Sequence, residues 1–583
     1  MKQVTHRLFV FGLTAGLATA MFAQTSNLSP DLQAMMTPQQ TGATNKAAAN
    51  GVASAGATGV SAGAGSFIDV IIQFKQTPAS VQNQMVQNAG GGLIKSLGSS
   101  NAAVYSVPFA GLSTIAADPS VVYISPDRGL KAFLDLTDAA VNANIALQNG
   151  YNGSGIGIAL IDSGVARHPD LQSRVVDRED FTSANTGNDD YGHGTHVAGI
   201  LASSGDSSSG SQYTRTFRGI APGAQIISLR VLDATGSGTD SAVILAIQRA
   251  IALKNTYNIR VINLSLGRPI FESYTLDPLC QAVEAAWKAG IVVVAAAGNA
   301  GRDNSENTDG YDTIMAPGND PYVITVGAMK TMGTPQRGDD LIASYSSKGP
   351  TLLDHVVKPD LVAPGNLVVS LMARNCVLAT LYPQTLIPLN YYMTRGGTGA
   401  SSTYFRLNGT SMATPVVSGA AALLLQKSPS LTPDQVKARL MKSAGKNFPV
   451  SSLATDPTTG LTYISYYDIF TVGAGYLDIL AALDNNDVAS QPALSPTAVY
   501  NAATGAVSLV TAGNVVWGTN VVWGTNVVWG TSVLLANNVV WGTNVVWGTS
   551  TTQGFNVVWG TNVVWGTGVT PTEAASISLN GEN

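Results

Sequence analysis

The sequence predicts an α/β fold, a three-layer arrangement with a mostly parallel central sheet covered by helices. Two observations support this prediction. Apolar, β-branched runs alternate with helical segments across residues 135–485, and continuous apolar strands are typical of parallel sheets that are buried on both faces. The 583-residue chain is also long enough for further domains. We expect a small α/β domain before the main one and a β-prone repeat tail after it.

The composition excludes several function classes. The chain carries 31 Lys and Arg against 36 Asp and Glu, and its net charge of −5 argues against a nucleic-acid-binding protein. Charged residues make up only 11%, yet no run of 18 apolar residues follows the N-terminal segment, which argues against a multi-span membrane protein. Two cysteines are too few for a disulfide scaffold or an all-cysteine zinc site.

Residues 1–23 are typical of a signal peptide. Basic residues precede the short apolar run Leu8–Leu13, and small residues follow at Ala18–Ala20. A single membrane anchor is the alternative interpretation, although the apolar run is short for a bilayer span. We therefore expect a secreted, extracellular protein. Residues 24–64 are rich in Ala, Gly, Thr, Ser and Gln and are expected to form a flexible linker.

Residues 65–128 are expected to form a small α/β domain. Strand character is clear at Phe67–Phe74, Ala103–Val107 and Val121–Ser125, and residues 78–88 favour a helix. On this pattern alone, the segment is either an ordinary small domain or a propeptide.

The main domain, residues 135–485, is predicted from its strands and helices. The strand candidates are Ile156–Ile161, Gln225–Val231, Val261–Leu266, Ile291–Ala296 and Val323–Val326. The helix candidates are 193–204, 239–254, 277–289, 411–427 and 432–445. Thr239 and Asp240 suit the N-cap of the second helix. In such open sheets, ligands bind at the carboxyl ends of the strands.

The last part of the chain is a repeat. After a linker at 486–512, the hexad Asn-Val-Val-Trp-Gly-Thr occurs seven times within 513–567, and residues 568–583 follow. Because six is a multiple of two, Val, Trp and Thr keep to one face of a strand in every hexad, which favours a stacked β structure. The alternatives are a self-associating exposed segment, a tryptophan-lined surface for cell-envelope or carbohydrate contact, and disorder.

Three separated motifs supply the groups of a serine hydrolase. Asp162 follows a predicted strand, His193 opens a helix in His-Gly-Thr-His-Val-Ala-Gly, and Ser411 lies at a helix start in Asn-Gly-Thr-Ser-Met-Ala-Thr-Pro. Serine needs a base to take its proton, and the base needs a carboxylate to orient it. The order Asp, His, Ser is that of subtilisin, and the Gly-x-Ser-x-Gly pattern of α/β-hydrolases is absent around Ser411.

A fourth element completes the set. The apolar strand candidate leads into Ala297, Gly298 and Asn299, and the glycine lets a substrate approach the backbone closely. The Asn299 amide, together with the backbone N–H of Ser411, could hold the negative oxygen of a tetrahedral intermediate.

The four segments resemble the subtilisin-like serine proteases, the subtilase family, over about residues 135–485. The resemblance implies that Asp162, His193 and Ser411 form a catalytic triad and that Asn299 is the oxyanion donor. No cofactor is required for this chemistry.

The resemblance also implies a propeptide and a peptide-binding cleft. Residues 65–128 take the place of a propeptide that assists folding, inhibits the enzyme and is cut off by it between about 128 and 136. Substrates of the family bind as an added strand. The residues that would bind them here are Gly236, Ser237, Gly238, Ser265, Leu266, Gly267, Ala297 and Gly298.

Several nearby positions have more than one interpretation. No third ligand stands near His196, so we expect a packed helix residue rather than a metal ligand. Asp170 matches a family aspartate that binds calcium, but the loop expected to supply the other ligands departs from the family pattern, so a structural calcium stays open. Met315 either makes the main specificity pocket shallower or packs in its wall. Cys280 and Cys376 either pair or stay buried thiols.

Two function hypotheses follow from these features. The first is a secreted serine endopeptidase that acts on proteins or peptides and is made as a self-processing zymogen. The second is a surface-associated structural or adhesive protein whose protease-like domain is only a scaffold. The repeat tail motivates the second hypothesis. The triad and its oxyanion candidate favour the first, because a scaffold has no need of all four groups.

Overall fold

The structure is a computed structural model, and its helices and strands follow the sequence prediction closely. It describes residues 27–29, 32–33, 36, 67–98, 101–127, 129–132, 140–305, 308–334, 337–456, 459–501, 506–510, 539–541, 545–547 and 581–582. The signal-peptide candidate 1–23 lies outside this part of the chain. None of the described helices combines the length and apolarity needed to cross a bilayer.

The chain first forms an antiparallel four-stranded sheet with two helices. Its elements are β1 (Phe67–Phe74), α1 (Ser80–Asn88), β2 (Gly92–Ser96), β3 (Ala102–Pro108), α2 (Phe109–Ala116) and β4 (Val121–Pro126). The strand order is β2-β3-β1-β4. The predicted strands and helix are confirmed, whereas β2 and α2 are additional. Strand β2 leaves most of its side chains exposed, so it lacks the alternating pattern that predicts a half-buried strand.

Part of the segment expected to be a flexible linker is packed on this sheet. Leu28 pairs in parallel with Ile124 of β4, and Leu32 is fully buried in the core of the unit. Burying a leucine side chain gains about 1.5–3 kcal/mol, which explains why the segment docks here despite its polar composition. Residues 24–26, 30–31, 34–35 and 37–64 lie outside the described residues.

Eight strands form the central sheet of the main domain. They are β6 (Gly157–Asp162), β7 (Val175–Asp180), β8 (Gln225–Arg230), β10 (Ile259–Leu264), β12 (Val292–Ala296), β13 (Ile324–Lys330), β14 (Leu341–Ile342) and β15 (Leu361–Pro364). Their order is β14-β13-β12-β10-β6-β8-β7, with β15 also beside β13. Every pair is parallel except β13–β14. All residues of β6, β12 and β13 are buried, which confirms the predicted fold class.

The main domain also contains helices, several of which pack on this sheet. They are α3 (Ala143–Gln148), α4 (His193–Ala202), α5 (Asp240–Tyr257), α6 (Pro278–Lys288), α7 (Val377–Leu381), α8 (Thr410–Lys427), α9 (Pro433–Ser443) and α10 (Ile479–Asp484). The five predicted helices are confirmed, with ends within three residues of the prediction. The Thr239 hydroxyl caps α5 by accepting from the Ala242 N–H at 3.3 Å, as the sequence predicts.

Smaller sheets complete the chain. Their strands are β5 (Gly129–Ala132), β9 (Ser237–Thr239), β11 (Leu266–Gly267), β16 (Val368–Leu371), β17 (Leu386–Pro388), β18 (Ala400–Leu407), β19 (Ser451–Thr455), β20 (Thr462–Tyr466), β21 (Thr497–Asn501), β22 (Ala506–Val510), β23 (Val539–Trp541) and β24 (Val545–Trp547). Strands β23 and β24 belong to two neighbouring repeats and pair antiparallel, a β-type pairing that the six-residue period favours. The other repeats lie outside the described residues.

Both cysteines are buried free thiols. Cys280 on α6 donates to the Asn319 side-chain oxygen at 3.3 Å. Cys376 packs against Gly192, just before His193, and burial raises the pKa of its thiol to about 11. Of the two alternatives for this pair, the structure therefore has the unpaired one.

Candidate active site

Asp162 and His193 meet where strand β6 ends and helix α4 begins. Asp162 is the last residue of β6, and His193 is the first residue of α4. Both side chains are fully buried, and His193 Nδ1 lies 2.7 Å from Asp162 Oδ1. A carboxylate at this distance keeps the proton on Nδ1, which leaves Nε2 as the nitrogen that can act as a base.

This contact depends on a close approach between α4 and the loop after β6. A Cβ atom on Gly194 would lie 2.1 Å from the Gly164 carbonyl oxygen, closer than any side chain permits. Glycine at position 194 therefore lets the start of the helix sit directly on the loop, and this brings His193 to Asp162.

Asp189, which stands in none of the predicted motifs, holds the same junction together. Its buried carboxylate accepts hydrogen bonds from the Ser163 hydroxyl at 2.8 Å and from the Gly192 and Thr195 backbone N–H groups at 2.7 Å each. The signal for this residue was its position just before a helix start, where backbone N–H groups lack helical partners and attract a carboxylate.

Ser411 is the second residue of α8 and is fully buried. Its hydroxyl donates to the Ser265 carbonyl at 3.1 Å, and the Ser265 hydroxyl donates to the Ser411 carbonyl at 2.7 Å. Ser265 lies between β10 and β11. These two bonds tie the candidate nucleophile to the segment predicted to bind substrate.

Asn299 follows β12 and faces the residue before Ser411. Its side-chain oxygen accepts from the Thr410 N–H at 2.9 Å and from the Thr410 hydroxyl at 3.1 Å. Its amide nitrogen is buried and has no hydrogen-bond partner. Leaving such a donor unpaired costs about 1–3 kcal/mol. The unpaired amide therefore has the chemistry of an oxyanion donor, because a substrate oxygen would supply its missing acceptor.

Strand β5 lies between β9 and β11 and pairs antiparallel with both. The register pairs Gly129, Leu130 and Lys131 with Thr239, Gly238 and Ser237, and pairs Lys131 and Ala132 with Gly267 and Leu266. Four of the predicted substrate-binding residues are thus strand partners of a peptide segment. Gly236 and Ser265 lie one residue outside the paired strands.

Arg268, which was not among the predicted site residues, anchors β11. Its guanidinium group is buried and lies 3.0 Å from Asp240 and 2.8 Å from Asp277, which stand at the starts of α5 and α6. No short motif joins these three residues, so only their spatial arrangement reveals the cluster. It fixes β11 against two helices of the main domain.

Met315 lies beside the oxyanion candidate. Its N–H donates to the Ala297 carbonyl at 3.0 Å, and a Cβ atom on Gly298 would lie 2.9 Å from Met315 Cγ. The side chain therefore covers the backbone just before Asn299. Both interpretations of Met315, a shallower specificity pocket and a packed pocket wall, are compatible with this position.

His196 is a packed helix residue, as the sequence predicts. Its Nε2 lies 3.2 Å from the Val368 carbonyl oxygen, and its ring meets the Phe405 ring edge-on with centroids 5.2 Å apart. Burial, and to a smaller extent the charge of His193, lowers the pKa of His196 to about 3. The ring is therefore neutral at physiological pH.

The Asp170 carboxylate does not fit a calcium ion. One oxygen accepts from the Ser207 N–H at 2.8 Å and from its hydroxyl at 2.5 Å. The other accepts from the hydroxyls of Tyr404 at 3.1 Å and Ser203 at 3.3 Å. Calcium takes six or more oxygen ligands, whereas this carboxylate is already surrounded by N–H and O–H donors.

The sequence of this chain is similar to the sequences of known proteins. A family model described as the subtilase family matches residues 153–463. The chain is 40% identical to serine protease AprX of Bacillus subtilis (strain 168) over 333 residues, 56% of this chain and 69% of that protein. It is 35% identical to subtilisin E of the same organism over 382 residues, 64% and 84% of the two chains. It is 34% identical to the alkaline protease of Alkalihalobacillus alcalophilus over 340 residues, 57% and 71%.

Proposed function

The chain belongs to the subtilase family and is a serine endopeptidase, and we propose that Asp162, His193 and Ser411 are its catalytic triad. The observation that carries the proposal is the 2.7 Å contact between Asp162 and His193. The unpaired Asn299 amide supports it, because the same side chain bonds to Thr410, the residue before Ser411. No cofactor takes part in the proposed chemistry.

The proposed mechanism assigns one task to each group. Ser411 Oγ attacks the peptide carbonyl while His193 Nε2 takes its proton and later gives it to the leaving amine. Asp162 holds the His193 ring and stabilises its positive charge. The Asn299 amide nitrogen and the Ser411 backbone N–H donate to the oxygen that becomes negative. Water then hydrolyses the acyl-enzyme by the same steps.

We further propose that the protein is a zymogen and that residues 65–128 are its propeptide. The support is strand β5, which occupies the position between β9 and β11 that a peptide substrate would take. Because β5 leads toward Ser265 and the serine bonded to it, we expect the cut within the few residues that follow Ala132.

The signal-peptide candidate supports export of this zymogen. Labelling of the purified secreted protein with a fluorophosphonate probe, followed by mass analysis, tests the whole proposal. We expect the label on Ser411 and a new N-terminus within 133–136. A folded full-length protein that stays unlabelled, even after another protease removes the N-terminal region, would instead favour the surface-associated scaffold.

Asp127 connects the proposed propeptide to helix α5. Its carboxylate accepts from the Ser241 N–H at 2.8 Å and also from the Ser241 hydroxyl. Burial is the main reason that the pKa of Asp127 rises to about 6, and the carboxylates of Asp240 and Asp69 add to the rise. A free propeptide would return this carboxyl to water and to its ordinary pKa.

Propeptide inhibition is therefore expected to weaken as the pH rises from about 4 to about 6. The docked state binds the Asp127 proton more tightly than the free state, so the complex loses up to about tenfold in affinity per pH unit across this window. The processed complex is diluted at each pH, and its activity is divided by that of propeptide-free enzyme at the same pH. The inhibition constants calculated from these ratios measure the effect. Asp127→Asn should remove the slope.

Asp118→Asn is the matched control for this experiment. Asp118 belongs to the same unit, but its carboxylate bonds to the neighbouring Ser120. The control should retain the pH slope. An unchanged slope in Asp127→Asn would show that another group governs the dependence.

Met315→Gly is expected to widen the specificity pocket. Removing the side chain that covers Gly298 should raise kcat/KM for substrates with a large aromatic residue before the cut by about tenfold or more, since such pockets discriminate by about 1–3 kcal/mol per missing methylene. Paired peptides with Phe or Ala at that position measure the change, and the Ala peptide is the internal control. An unchanged Phe-to-Ala ratio would place Met315 outside the pocket.

A further inference from the structure

Gly581 and Glu582, which follow the repeat tail, lie in a buried pocket of the main domain. Only 3% of the Glu582 side chain is exposed, and its carboxylate oxygens lie 2.8 Å from Arg302 Nη2 and 3.2 Å from Lys330 Nζ. The Ser344 backbone N–H donates to the same carboxylate at 3.0 Å, and the Ser344 hydroxyl donates as well. Four donor groups thus surround one carboxylate.

The pocket also contacts the backbone of this segment. The Glu582 N–H donates to the Asn366 side-chain oxygen at 3.0 Å, and the Asn366 amide donates back to the Glu582 carbonyl at 2.8 Å. Gly581 has a φ of +66°, and a Cβ atom there would lie 2.3 Å from Asn408 Oδ1. Both the conformation and the space therefore require glycine. We call the site formed by Arg302, Lys330, Ser344 and Asn366 the Glu582 pocket.

The charges in the pocket depend on Glu582. Arg302 and Lys330 are both buried, and Arg302 also pairs with Asp456 at 2.8 Å. Without Glu582, these two buried cations would face one carboxylate, and an uncompensated buried charge is strongly destabilising. Burial acts to raise the pKa of the Glu582 carboxyl, but the Lys330 and Arg302 charges outweigh it and hold that pKa below its ordinary value.

The other end of the tail is also attached to the main domain. Thr497 of β21 bridges to Val356, and the Ala498 N–H donates to the His355 carbonyl at 2.8 Å. Strand β22 pairs with β21 and ends at Val510. Described contacts with the main domain thus lie on both sides of the repeat tail, at Thr497 and Ala498 before it and at Gly581 and Glu582 after it.

We propose that the Glu582 pocket is a recognition site for a Gly-Glu segment and that Gly581–Glu582 fill it in cis. The repeat tail is then a loop attached to the peptidase at both ends. A cut between repeats leaves the distal fragment bound to the enzyme. The pocket needs no catalytic step, so this proposal stands apart from the proposed triad.

The test uses the full chain with Ser411→Ala, which prevents self-cleavage. A recognition sequence for a site-specific protease replaces residues 550–555, between two blocks of repeats. After complete cleavage, native gel filtration and mass analysis show whether the fragment that begins at Asn556 elutes with the body. We expect the fragment to stay with the body when residue 582 is unsubstituted. The retained fraction should be at least tenfold lower in Glu582→Gln. Glu573→Gln makes the same chemical change in the same fragment and should retain it.

Two results would overturn the proposal. Equal retention in Glu582→Gln would mean that repeat pairing holds the fragment, and release from the unsubstituted chain would mean that nothing holds it. A second measurement avoids any folding defect in the variant. A synthetic peptide of residues 576–583 should displace the fragment from the nicked unsubstituted protein, whereas the same peptide carrying Glu582→Gln should not. Equal action of the two peptides would also contradict the proposal.

Discussion

Ser411→Ala is expected to abolish peptide hydrolysis and to leave the chain unprocessed. The substitution removes the hydroxyl that donates to the Ser265 carbonyl beside β11, and this hydroxyl is the nucleophile of the proposed mechanism. The expected loss in kcat is about 10⁶-fold, a magnitude measured in a subtilisin. Turnover of a chromogenic peptide and intact-mass analysis of the secreted protein give the two readouts.

Ser418→Ala is the matched control for this variant. Ser418 lies on the same helix, and its hydroxyl donates to Asn263 at 2.8 Å. The control makes the same chemical change in the same buried environment, so it should process and hydrolyse normally. Residual casein hydrolysis by folded Ser411→Ala would contradict the triad. A processed Ser411→Ala chain, produced without added protease, would contradict self-cleavage.

Asn299→Asp is expected to lower kcat by about 10²–10³-fold with a small change in KM. The substitution keeps the oxygen that accepts from the Thr410 N–H and hydroxyl, but it replaces the unpaired amide nitrogen with an oxygen that cannot donate when ionised. Loss of one oxyanion donor has about this magnitude in a subtilisin. Steady-state kinetics on one peptide substrate measure kcat and KM separately.

Two comparisons separate catalysis from folding in this experiment. Asn299→Ala removes the Thr410 contacts as well, so it should lower the melting temperature more than Asn299→Asp does while giving a similar loss in kcat. Asn319→Ala removes another buried amide whose nitrogen has no hydrogen-bond partner and should leave kcat nearly unchanged. A kcat within threefold of the wild type in Asn299→Asp would remove Asn299 from the mechanism.

The fold of the main domain was largely predictable because its signals are local. Buried parallel strands are continuous apolar runs, and helix starts such as Thr239 carry their own capping groups. The elements that were missed have weak local signals. Strand β2 is mostly exposed, and Leu28 and Leu32 lie in a segment whose overall composition is that of a linker.

The candidate site divides in the same way. Asp162, His193, Asn299 and Ser411 stand in sequence motifs that reveal them without a structure. Asp189 and the Arg268 cluster do not, since their partners are assembled from separate elements.

The sequence alone determined the class of fold and the candidate reacting groups with their order, because these depend on residue type and local spacing. Only the tertiary structure decided that β5 lies between β9 and β11, that Cys280 and Cys376 are unpaired, and where Glu582 lies. The physical reason is that a buried charge or an added strand is stabilised by groups from distant parts of the chain. Their proximity is a property of the packed molecule, and no window of sequence contains it.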